Sequence, residues 1–194
     1  MLDIHGYDYG KACAARSPIM LDELRELEAT VGWSGADAEA IAIAAEVLAG
    51  QEEAMVDSWR AIIGDHPFLA KWFWGPDGKP DEAYKSAVKK RFVQWVCDLC
   101  RRERDQAWLD YQEEIGQRHT PVKKNKTEGA HTPDMVPLRY LWSFAGPVIS
   151  SAREFLASKG HSAADVERMH QAWAKSVLLT LALWARPYVK DRLW

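Results

Sequence analysis

The chain has 194 residues, 47% of them hydrophobic and 27% charged, with a formal net charge of -3. These values fit one globular domain over residues 1–194, and the lack of a basic excess argues against nucleic-acid binding. Met1–Gly10 has no apolar core and the longest apolar stretch, Val177–Ala185, is too short to span a bilayer, so neither a secretory signal nor a membrane span is expected and the reading is cytoplasmic.

Nearly every long segment has helical period, and strand-like alternation is missing, so the fold class is all-α. Residues 1–17, rich in Gly and Tyr, read as an irregular extension. A first helix is expected over 18–30, with Leu21, Leu24 and Leu27 on one face. Ser34 is a good N-cap for a second helix, with Asp37 three residues on. Gly50 interrupts the run, and a third helix carrying Met55, Trp59, Ile62 and Ile63 ends at Gly64, His66 and Pro67. A short helical turn is expected from Phe68 to Phe73, then a loop over Gly75–Pro80.

Asp81 caps a long helix to about Arg102, whose inner face reads Tyr84, Val88, Phe92, Trp95, Val96 and Leu99. Asp105 opens the next, which ends near Arg118. Thr120–Pro133 reads as a loop, and its Lys123, Lys124 and Lys126 as solvated surface. Two long helices follow, one from about Val136 to Ser158 and one from a Ser162 cap to about Ala185.

Three cysteines, Cys13, Cys97 and Cys100, suggest reduced thiols. Cys97 and Cys100 lack the further ligands of a zinc site and the βαβ setting of a redox motif, which leaves helical packing. Ten tryptophans suggest large aromatic pockets or an interface. No phosphate loop, paired His-Glu motif or nucleophile elbow is present, and the many carboxylates read as lying on solvent faces.

His5, His131 and His161 sit in polar or turn-rich segments, His66 precedes a proline, and His170 borders the stripe Val166, Met169, Trp173, Val177. His119 differs. Stepping back by four, three and four residues reaches Ile115, Gln112 and Trp108, so it stands on the inward face of an amphipathic helix at its C-terminal end. Two readings stay open: an imidazole favoured by the negative end of the helix dipole, or an axial haem ligand. For the second, Val88 and Phe92 supply an apolar opposite wall that Trp59 and Phe73 close.

The run Asp105-Gln-Ala-Trp-Leu-Asp-Tyr-Gln-Glu-Glu-Ile-Gly-Gln-Arg-His119 resembles the proximal helix of protoglobins, shared more loosely by globin-coupled sensors. Similar in order are Gly6-Tyr-Asp-Tyr-Gly10, His66-Pro67 with Phe73, Lys90-Arg91-Phe92 with Trp95, and Arg139-Tyr-Leu141 with Phe144 and Pro147. Phe155-Leu-Ala with Lys159-Gly160, Ala172-Trp173, Leu183-Trp184 and Pro187-Tyr188 complete the set. The resemblance implies a globin-like fold with an extra N-terminal helix, no D helix and a globin core over 34–188. It implies one haem b, its iron held by His119, in a pocket built from Trp59, Arg60, Phe73, Val88, Arg91, Phe92, Ile115 and Phe144.

It also implies reversible binding of O2, CO or NO, in gas binding or sensing, and a homodimer formed through the last two helices. Two departures stand out. Arg60 occupies a position that is usually Tyr in the family. Pointing inward, its guanidinium meets bound ligands or polarises peroxide; pointing outward, it reaches a propionate. Ala145-Gly146 replaces larger residues: either the pair opens space near the haem or its tunnel, or Trp142 and the other extra tryptophans refill the volume, which close packing favours. Rival readings are a haem enzyme with peroxidase-like or nitric-oxide-detoxifying activity that uses Arg60, and a haem-free helical interaction module.

Overall fold

The computed structural model describes residues 4–190 and 194. Among them the chain forms eight α-helices: α1 (Leu21–Thr30), α2 (Gly35–Leu48), α3 (Glu52–Asp65), α4 (Pro67–Ala70), α5 (Glu82–Arg101), α6 (Gln106–Gln117), α7 (Leu138–Leu156) and α8 (Ala163–Ala185). Single 3-10 turns, Lys71–Phe73 and Arg186–Tyr188, follow α4 and α8. The described residues contain no sheet, only one isolated bridge between Trp74 and Pro80. The all-α expectation therefore holds.

The helix starts follow their caps. Asp81 accepts from the Tyr84 N–H at 2.9 Å, Asp105 from the Trp108 N–H at 2.8 Å, and the Ser162 hydroxyl from the Asp165 N–H at 3.1 Å. Each satisfies a donor that the first helical turn leaves free. At Ser34, Asp37 reaches back to the Ser34 N–H at 2.8 Å. Two starts fall later than the periodicity suggests. In α1, the Ser17 N–H is taken by Asp110 at 3.0 Å and the Ile19 N–H by the Ser17 hydroxyl at 3.1 Å, so the helix begins at Leu21. Before α7, the Val136 N–H donates to the His119 carbonyl at 2.9 Å, and the helix begins after Pro137.

Helix α8 runs through the middle, packed on α7, α2, α6 and α5. Trp173 on α8 is fully buried and donates to the Val148 carbonyl at 3.0 Å. Trp59 on α3 is also fully buried and donates to the Ser151 hydroxyl at 2.7 Å. Ser151 in turn donates to the carbonyl of Pro147, which interrupts α7. The Trp59 and Trp173 indoles thus both find partners for their N–H groups.

The carboxylates do not all lie on solvent faces. Asp110, Glu113 and Glu114 on α6 are buried. Asp110 takes Arg16 and the Ser17 N–H, Glu114 takes the Ala15 N–H, Arg118 and Lys123, and Glu113 takes Arg186. Helix α6 is therefore polar on both sides. One side clasps the N-terminal extension and the other the segment after α8, so burial here comes from tying down the chain ends. Part of that extension, residues 1–3, lies outside the described residues.

Cys97 is half-buried beside Glu52 and Cys100 is buried, and burial pushes the two thiols up to about 11 and about 12. These are packed, protonated thiols. Among the described residues no cluster of His, Cys, Asp or Glu is suited to a metal ion, and no helix is long and apolar enough to cross a membrane.

Candidate functional site

A cavity of about 720 Å³ lies between α3, α5, α6, α7 and α8. Its size falls within the roughly 300–1,000 Å³ of small-molecule and cofactor sites. Eight of the nine residues singled out in the sequence line it: Arg60, Phe73, Val88, Arg91, Phe92, Ile115, His119 and Phe144. Trp59 does not. It stands behind Phe92, their ring centroids 5.3 Å apart, and acts as backing for that wall.

His119 follows α6 by two residues, in the turn that continues its last hydrogen bonds. Its Nδ1 lies 2.8 Å from the Ile115 carbonyl. A carbonyl only accepts, so Nδ1 carries the hydrogen, and in the neutral ring Nε2 keeps a lone pair. No described residue bonds that nitrogen, and the ring faces the cavity. Burial pushes the imidazole down to about 4, the Ile115 hydrogen bond opposing it and the Lys124 and Arg118 charges adding to it. The ring is held neutral at pH 7.

The backbone around His119 is fixed as well. Its carbonyl accepts from the Val136 N–H at 2.9 Å and from the Tyr188 hydroxyl at 3.0 Å. The ring stacks on Trp184, whose indole donates to Gln112 at 3.0 Å. Gly116 lets α6 approach the end of α8: a Cβ there would lie 3.2 Å from the Trp184 Cα and 3.1 Å from Pro187.

Arg60 is at the rim. Its Nη1 donates to Asp57 at 3.3 Å, and Lys89 joins the same carboxylate at 2.8 Å. Gly146 faces outward, where a Cβ would meet nothing within 4 Å, and Trp142 is 45% exposed. The expected refilling by Trp142 does not occur: one turn apart, the two share the outer face of α7, and only Ala145 of the small pair lines the cavity.

Several lining residues escaped the sequence reading. Trp184 continues the α8 stripe Val177, Thr180, Leu181, whose three- and four-residue spacing marks an inward face. Arg118 adjoins His119 in the sequence. Lys124 corrects the solvated-surface reading of its loop: it is 3% exposed and lines the cavity. No pattern in that polar loop sets it apart from its neighbours.

His170 is not in the cavity; its Nε2 lies 2.8 Å from the Ile149 carbonyl. The extension is tied to the polar end of the cavity. Arg91 donates to the His5 carbonyl at 3.0 Å, Arg118 donates to the Gly6 carbonyl, and His5 lies 3.2 Å from the Thr127 carbonyl.

A search of curated proteins returned no match. Among solved structures, the chain is similar to the globin domain of a Geobacter sulfurreducens globin-coupled sensor (TM-score 0.63, 14% identity, covering 86% of this chain and 97% of that one). It is similar to the globin domain of E. coli DosC in its ferric form (TM-score 0.63, 13% identity, 85% and 97% covered). A sequence model of the Protoglobin family matches residues 20–194, and the chain belongs to that family.

Proposed function

We propose that the cavity holds haem b, whose iron His119 Nε2 would hold, and that the protein binds the diatomic gases O2, CO and NO. Membership of a globin family implies a haem cofactor. The residues present fit it. The observation that carries the reading is the His119 ring: neutral, committed at Nδ1 to the Ile115 carbonyl, and free at Nε2 within a cavity of about 720 Å³. That is the donor state an imidazole needs to ligate iron.

When bound, ferrous haem supplies an open coordination position for a small gas. The chain's own residues set the surroundings. Ile115 fixes the tautomer, Trp184 and Gln112 fix the ring plane, and Tyr188 fixes the backbone. Phe73, Val88, Phe92 and Phe144 give an apolar lining that keeps water out, and Trp59 supports Phe92 from behind. The Trp95 N–H, on the same lining, is buried without an acceptor among the described residues. Because Arg60 is tied to Asp57 at the rim, gas binding is favoured over a peroxidase-like role for it.

Pairing of two copies through α7 and α8 is supported by Trp142 and Leu178, 45% and 40% exposed on those helices. Sedimentation of wild type and Trp142→Glu tests the pairing: the variant is expected to shift toward monomer.

Titration of the haem-depleted protein with haemin tests the main reading. A Soret band saturating at one haem per chain is expected. A band no stronger than that of haemin bound to serum albumin, with no saturation, would defeat it and leave a haem-free helical module.

A further inference from the structure

Six cationic side chains line the cavity: Arg60, Lys85, Lys89, Arg91, Arg118 and Lys124. Five have carboxylate partners. Arg60 and Lys89 share Asp57, Lys85 pairs with Glu82, Arg91 with Glu128, and Arg118 with Asp8 and Glu114. Lys124, the most buried of them at 3% exposure, has no carboxylate partner among the described residues.

Its ammonium donates to the Trp72 carbonyl at 2.9 Å and to the Thr132 hydroxyl at 2.7 Å. The third acceptor, Asn125 Oδ1, is at 3.4 Å, too long to use the last donor well. A buried charge held by neutral dipoles alone is costly, and an anion beside it removes that cost. A second orphan lines the same cavity. Trp72, whose carbonyl holds Lys124, has a buried indole N–H with no acceptor among the described residues. One ammonium donor and one indole donor are thus both short of an anionic acceptor. Burial pushes the ammonium down to about 8, with Asp134 and Glu128 only partly opposing this from a distance.

We propose that Lys124 is the carboxylate-binding residue of the cavity and that it takes a propionate of the haem. The proposal rests on the haem-binding reading above. It gives a role to a loop lysine otherwise indistinguishable from Lys123, which pairs with Glu114. Lys124 anchors the side chain of the cofactor while His119, five residues earlier, anchors its centre.

The test compares protohaem with its dimethyl ester, whose propionates carry no charge. Wild type, Lys124→Gln and Lys124→Arg are each loaded with both, and haem transfer to an excess of a scavenging apoglobin is followed by absorbance. Lys124→Gln is expected to release protohaem about tenfold faster than wild type, the size of one charge-assisted hydrogen bond. Esterification is expected to accelerate release from wild type and Lys124→Arg but not from Lys124→Gln.

An equal ester penalty in wild type and Lys124→Gln, or none in wild type, overturns the proposal while leaving haem binding intact. Should Lys124→Gln hold no haem, the Lys124 ammonium resonance of the wild type decides. Protohaem raises its titration midpoint above that of the ester-loaded form, and equal midpoints overturn the proposal. A wild type with no saturable Soret band for either haem defeats the haem-binding reading itself, and this proposal with it.

Discussion

The His119 ring lies against the Trp184 indole, centroids 5.4 Å apart and planes 28° from parallel. An imidazole on a turn beyond a helix end would otherwise have several orientations. Trp184 removes that freedom, and Gln112 holds Trp184 in place through its indole N–H at 3.0 Å. Trp184→Leu removes the stack, worth about 0.5–1.5 kcal/mol. Faster haem loss and a broadened iron–histidine band in the resonance Raman spectrum are expected, with helix content unchanged. An unaltered band would mean that the ring is fixed by the Ile115 bond alone.

Gly116 tests the spacing behind that stack. A methyl group there meets the Trp184 backbone at 3.2 Å and the Pro187 ring at 3.1 and 3.3 Å, and neither is free to swing away. Gly116→Ala is expected to destabilise the protein by about 1–3 kcal/mol through overpacking. The expected haem affinity is lower as well. Urea unfolding and haem transfer measure the two effects; a more stable variant would contradict the close approach.

Gly6 tests the hold of the extension on the cavity's polar end. Its φ of +72° is one that other residues adopt only under strain, and a Cβ would lie 2.5 Å from the Thr127 methyl and 3.0 Å from Arg91. Gly6→Ala adds about 1–2 kcal/mol of backbone strain and displaces the extension from Arg91 and Arg118. Faster haem release is expected, with the His119 ligation spectrum unchanged. Equal release rates would show that the extension does not close the cavity.

Lys124 gives a pH signature. In the haem-free protein its folded-state value of about 8 lies below the unfolded value of 10.5. Between them the unfolded chain binds more protons, so stability rises with pH. Relative to Lys124→Met, the haem-free wild type is expected to gain up to about 3 kcal/mol from pH 7 to pH 11. The difference between the two proteins isolates Lys124 from Asp134, Glu128 and the Tyr84 ring that face it. Loading with protohaem is expected to flatten the dependence. A flat profile in the haem-free protein would show that the ammonium keeps its ordinary value.

Arg60 is expected to matter little to the bound ligand while Asp57 holds it at the rim. The CO stretching frequency is expected to be unchanged in Arg60→Leu and shifted in Asp57→Asn, which frees the guanidinium. A shift in Arg60→Leu would place that group against the ligand instead.

What the sequence showed plainly was local. Asp81, Asp105 and Ser162 announce helix starts because a cap acts within three residues of itself. The inward face ending at His119 was legible for the same reason, since a helix repeats its geometry. Asp110, Glu113 and Glu114 were misread because their partners, Arg16, Arg186 and the Ala15 N–H, lie far along the chain. Lys124 was misread because its burial depends on Trp72 and Thr132, and a loop has no period to show which side faces in. Trp59 was assigned to the lining although helix period fixes only the direction a side chain points, not how many layers lie before the cavity.

The central claim is that His119 Nε2 ligates the haem iron, and His119→Gly with added imidazole tests it most directly. The variant leaves a space the size of the lost ring, which free imidazole can fill. The account predicts that the ferrous spectrum of His119→Gly departs from wild type without imidazole and returns to it with imidazole, with CO binding recovered. A wild-type ferrous spectrum in His119→Gly without imidazole would contradict the account and place the ligand elsewhere.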